Sequence, residues 1–235
     1  MKKNVVLTSK TSKIEAIGAR LAIAAAVAVL LLLASLHVLS PEFDPSWRVV
    51  SEYANGRYGW VLSLMFAAWA FSSWALAFTI WPQSRTILGK IGLVFLLIAG
   101  VGEAMAAFFD INHDALHNVA GALGILGLPV AAMFISVSLG RTQAWSAAKN
   151  LLIFTANLTW MSVVLLAATF IMMIIGYTQA GGNMTSQVKV PVLPPGVIAV
   201  VGWANRLLIV VYCVWVMTAA WLAIKAARQK VLASS

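Results

Sequence analysis

The segment D-I-N-H-D-A-L-H, Asp110 to His117, holds two of the chain's three histidines and two of its seven acids. If it were continuous helix, Asp110, His113, Asp114 and His117 would share one face at i, i+3, i+4 and i+7. Imidazole and carboxylate in that pattern suit a hydrolytic zinc site, where the metal activates a water. His113, His117 and Asp110 are the candidate ligands, with His37 or Asp44 as a further donor from elsewhere in the chain. The alternative is a polar turn in which the histidines are hydrogen-bonded and Asn112 or Asp110 caps a helix. Glu103 lies two helical turns below Asp110 on the same face. Around it the sequence is apolar, and a carboxylate inside a bilayer is costly unless paired, protonated or wetted. Arg206 has an arm long enough to reach towards it.

These residues must be positioned by membrane helices. The chain has 235 residues, 62% of them hydrophobic and 10% charged, with a mean hydropathy of +0.92. A soluble domain of this size could not hide that much apolar surface. A crossing helix needs about 20 mostly apolar residues, and six segments qualify, roughly 17–39, 59–80, 89–109, 118–138, 151–176 and 199–223. The fold class expected is all-α, a polytopic bundle of six transmembrane helices forming one domain over 1–235. The first segment is read as a retained helix, because its apolar run exceeds the usual length of a signal-peptide core.

Twelve of the sixteen basic residues fall on one side of these spans, among them Lys2, Lys3, Arg85, Arg141 and Lys225. Arg48, Arg57, Lys189 and Arg206 fall on the other. The positive-inside rule then places both termini in the cytoplasm. The net charge of +9 is thereby explained by topology, without nucleic acid as a partner. Membrane lipids are the expected surroundings, and the oligomeric state is left open.

Acids and histidines sort the other way. Glu42, Asp44, Glu52, Asp110, Asp114, His37, His113 and His117 all fall at the outer side, and Glu103 about 10 Å beneath it. Groups able to bind a polar ligand are thus gathered on one face. Gly121, Gly124 and Gly127 read as a small-residue packing face. Trp47, Trp60, Trp203, Trp81, Trp145 and Trp221 read as interfacial belts. Cys213 reads as a buried hydrophobe, and no second cysteine exists for a disulfide. Pro194 and Pro195 suit the start of the sixth span.

S-E-Y-A-N-G-R-Y-G-W at 51–60 and F-F-D-I-N-H-D-A-L-H-N-V-A-G at 108–121 carry a resemblance. With six spans so spaced, the chain resembles the bacterial and archaeal membrane family called domain of unknown function 998. That resemblance points to Ser51, Glu52, Gly56, Gly59, Asp110 and His117, and it implies no activity. The histidine pair at i, i+4 also resembles that of membrane-embedded zinc hydrolases.

Three functions follow as expectations. The first is an outward-facing polar site for a small polar or amphiphilic, lipid-like ligand, built from Glu52, Arg57, Glu103, Asp110, His117 and Arg206 and needing no cofactor. The second is an intramembrane metal-dependent hydrolase using zinc. The third is a structural or assembly subunit of a membrane complex. Alternating-access transport is disfavoured, since no inverted repeat is visible. Stacked haems are disfavoured because the inner half has no histidine.

Overall fold

The computed structural model describes residues 2–182 and 192–232, with side chains over 13–182 and 192–229. Lys189 lies outside the described residues. Six long helices are present: α1 (Lys2–Leu39), α2 (Gly59–Ile80), α3 (Ile87–Phe108), α4 (Asp114–Leu139), α5 (Lys149–Gln179) and α6 (Val201–Leu232). Among the described residues, these are the six helices long and apolar enough to cross a membrane. Helix is the form a single span must take in lipid, because it satisfies every backbone polar group within the segment.

Sequence and structure agree on the spans to within a turn or so, apart from the basic ends of α1 and α6, which extend as helix. Local chemistry explains the shifts. The Thr86 hydroxyl accepts a 3.0 Å bond from the Gly89 amide, so α3 starts before 89. Pro194 and Pro195 do not open the sixth helix. They lie in a turn that ends at Gly196, whose φ of +87° favours glycine, and α6 starts only at Val201.

Each helix packs on its neighbour in the chain, and α6 returns to α1, so the six close into a ring. Contact between α2 and α6 crosses the ring's interior. The tightest pair is α3 with α4, and glycine is the reason. A Cβ on Gly102 would sit 2.6 Å from the Ala120 carbonyl oxygen and from the Gly124 amide nitrogen. In lipid, close backbone approach of this kind is what holds helices together. Gly127 belongs to the same seam, 3.4 Å from the Ala99 methyl. Gly124 belongs to it too, through that amide and because a Cβ there would lie 3.8 Å from Glu103 Cγ, but Gly121 does not, since a Cβ on it meets nothing within 4 Å. The expected packing face is therefore only partly one.

The core lies between α1, α2 and α6, where Leu36, Met65, Leu76 and Trp215 are fully buried. Helix α5 is held far less firmly. Only 17% of its most apolar stretch is buried, against 50% for α4 and 56% for α6. Its Phe154, Met161, Val164 and Ile171 face outward, as lipid-facing residues do.

At the end that carries both termini, Gln83 links two elements. Its amide donates to Glu15 at 3.1 Å and accepts from the Trp145 indole at 3.0 Å. Trp145 is therefore buried and not part of an interfacial belt. Trp60, Trp81, Trp203 and Trp221 are exposed, as a belt requires.

Candidate ligand-binding cavity

The opposite end is organised by Arg206, which is 4% exposed. Its Nε donates to His37 Nε2 at 2.8 Å, and its terminal nitrogens donate to the Arg48 carbonyl at 2.7 Å and the Tyr53 hydroxyl at 2.9 Å. The Gly202 carbonyl accepts another bond. His37 can accept because its Nδ1–H is committed to the Leu33 carbonyl at 2.8 Å. The expected pairing of Arg206 with Glu103 is not made. A guanidinium satisfies several carbonyls at once through its fixed fork, and here that fork fastens the first loop to α1 and α6.

The same loop holds a short 3₁₀ helix, Val50–Asn55. Glu52 pairs with Arg48 and caps the turn by accepting from the Val49 amide. Arg57 is exposed, with its guanidinium over the Tyr58 ring. Asp44 accepts from the Ser46 amide, and that bond holds its carboxyl below the usual range. Glu52 and Asp44 are thus bonded within the loop itself.

Asp110 to His117 breaks after α3. Asp110 Oδ1 accepts from the Asn112 amide at 2.9 Å and contacts His113 Nδ1 at 3.1 Å. The amide bond chiefly holds the Asp110 carboxyl below the usual aspartate range. Neither Asp110 nor Asn112 caps α4. His113 occupies that position without a capping bond, because the Asp110 side chain is committed to its own turn. His117 turns its Nδ1–H onto the Phe109 carbonyl at 2.9 Å. Asp110 and His113 thus face each other, while His117 is turned to a backbone carbonyl. Among the described residues no three His, Cys, Asp or Glu side chains gather around a point that could hold a metal. His113, His117 and Asp110 are not brought together as such a group.

Beneath this turn lies a cavity of about 570 Å³, bounded by α2 to α6 and by the loop at 49–51. Its size suits a small organic ligand. The walls are mainly apolar, with Phe66, Ile125, Leu166 and Ile209 among them. Asn118, Ala122 and Phe170 line it and are also exposed, so it opens sideways along α4 and α5. Gly121 and Gly124 border it, which explains why a Cβ on Gly121 would meet nothing.

Two polar atoms in this wall are buried without a hydrogen-bond partner. One is Glu103 Oε1, whose sister oxygen accepts a 2.8 Å bond from Ser73 Oγ. The other is Trp69 Nε1. Ser73 lies one turn beyond Trp69 on α2, so both residues project from the same face of that helix. Glu103 is 3% exposed and Trp69 5%. Buried polar groups are ordinarily satisfied, so two unpartnered ones bordering one cavity are exceptions.

Of the expected ligand-binding residues, Glu103 and His117 line the cavity. Glu52, Arg57, Asp110 and Arg206 do not line it: Glu52, Asp110 and Arg206 are bonded within the loop and the turn, and Arg57 is exposed. Their chain neighbours Ser51, Ile111 and Asn205 line it instead. Sequence reasoning missed Trp69, Asn205 and Tyr212. The spacing of Trp69 and Ser73 at i, i+4 was the available signal for the first. Tyr212 donates to the Ile125 carbonyl at 2.6 Å, which fixes its ring as part of the wall.

A family model described as "Protein of unknown function (DUF998)" matches residues 22–222. The chain belongs to the DUF998 family. No curated protein and no solved structure matches it. The DUF998 match runs from α1 to α6, and six apolar helices make the chain an integral membrane protein. The residues carried over by the family pattern divide by role. Ser51 and His117 line the cavity. Gly56 and Gly59 serve close approach, since added Cβ atoms would lie 2.9 Å from the Phe43 ring and 2.7 Å from the Ala54 carbonyl oxygen.

Proposed function

We propose that this DUF998 protein binds a small amphiphilic, lipid-like molecule in the cavity between α2 and α6, taken up from the surrounding bilayer. In this reading it is a multi-pass protein of the cytoplasmic membrane of a bacterium or archaeon. Both termini face the cytoplasm and the cavity lies towards the outer leaflet. The distribution of basic residues supports that orientation.

The observation that carries the reading is the pair of buried, unpartnered polar atoms, Glu103 Oε1 and Trp69 Nε1, in a mainly apolar wall. A ligand with an apolar body and a polar group would satisfy both parts. The sideways opening beside α5 supports entry from lipid. His117 and Asn205 add polar contacts. The Asn205 carbonyl oxygen is bonded to the Val50 amide at 2.8 Å, which leaves its NH₂ group to serve a ligand.

Mass spectrometry of small molecules retained by the purified protein tests this. The wild type is expected to carry an amphiphile that Gly121→Leu loses, because the new side chain grows into the cavity. Equal retention by the two proteins would contradict the reading.

A further inference from the structure

We infer that the cavity selects an amphiphile with a positively charged amine head. The inference rests on the binding reading above and names its ligand class.

Charge and hydrogen-bond complementarity favour this head. Among the residues that line the cavity, Glu103 is the acid, and there is neither lysine nor arginine. Arg206 does not reach the cavity, since its donors go to the loop carbonyls, His37 and Tyr53. An anionic head such as a phosphate or carboxylate would meet no cation there. An ammonium group would offer Glu103 Oε1 a charge-assisted donor, the strong kind of hydrogen bond.

The surrounding groups favour the same sign. His117 donates its Nδ1–H to the Phe109 carbonyl, and in that tautomer Nε2 is left as an acceptor. Tyr212 donates its proton to the Ile125 carbonyl, and its oxygen keeps a free lone pair. Phe66, Trp69 and Tyr212 form a contiguous aromatic group in the wall. The ring centroids are 6.3 Å apart for the first pair and 6.0 Å for the second. Aromatic faces attract a desolvated cation. The Trp69 indole N–H remains as a donor, and an oxygen beside the amine would accept from it.

The test compares three probes with one chain length and different heads: dodecylamine, dodecanol and dodecanoate. Each is titrated into phosphatidylcholine nanodiscs holding the full chain, and thermal unfolding is followed at a single neutral pH. Dodecylamine is expected to stabilise the protein at about ten-fold lower mole fraction than the other two. Glu103→Gln should remove that advantage, and Gly121→Leu should remove stabilisation by all three. Equal stabilisation by the three probes, lost in Gly121→Leu, would overturn the charge assignment and leave the cavity reading standing. No stabilisation beyond that seen with Gly121→Leu would overturn both. If Glu103→Gln does not fold, Gly121→Leu still decides. An amine advantage that survives there comes from the bilayer and refutes the inference.

Discussion

Replacing Arg206 by Met removes a charged side chain that is buried and fastens three separate elements. The bonds that cross between elements go to His37, to the Arg48 carbonyl and to the Tyr53 hydroxyl, at 2.7–2.9 Å. A hydrogen bond to a charged group contributes about 1.5–3 kcal/mol. Three such bonds exceed the expected loss, because Met also relieves the cost of burying the charge. Breaking a buried charged network from one side costs about 3–5 kcal/mol, and this is the loss expected here. Arg206→Lys should fall between, since an ammonium has no planar fork and reaches fewer of the acceptors. The assay is unfolding free energy in mixed micelles, measured by denaturant titration. A second consequence follows from the loop: Val49, Val50 and Ser51 line the cavity, so its release should also weaken ligand retention. Arg206→Met within about 0.5 kcal/mol of wild type, the range of ordinary surface changes, would refute the reasoning.

Other substitutions have expected signs. Gly102→Ala should destabilise by about 1–3 kcal/mol through forced separation of α3 and α4, read by the same titration. Gly121→Ala should be neutral or stabilising by up to about 1 kcal/mol, since its Cβ enters open space in a helix. Trp145→Phe should cost about 1 kcal/mol by leaving Gln83 without its indole donor. Asp44 and Asp110 are both held below the usual aspartate value of 3.8 by backbone amides. Their contribution to stability is therefore complete above that value and is lost as pH falls through the lower folded value. Asp110→Asn should flatten that acid limb of the stability profile.

The six spans were legible because lipid imposes one rule, an apolar helix of sufficient length, and the sequence obeys it almost residue by residue. Helix α2 lies at 59–80 as read. Pairing was not legible. Glu103 and Arg206 sit at suitable depths for each other, yet depth says nothing about direction around the ring. Arg206 turns towards carbonyls of a loop whose path no periodicity encodes. His113 and Asp110 meet, as their spacing suggests, but the break after Phe108 directs His117 back to a backbone carbonyl. Glu103 stood out in sequence because a carboxyl is rare in such surroundings. Trp69 did not, since an aromatic residue in an apolar helix is ordinary until its N–H is found without a partner.

An experimental structure of the protein in lipid nanodiscs, at side-chain resolution, tests the central claim most directly. The account predicts non-protein density in the cavity within hydrogen-bond reach of Glu103 Oε1 and Trp69 Nε1. Helix α5 closed onto α4, with both atoms bonded to protein groups and no space between, would contradict it.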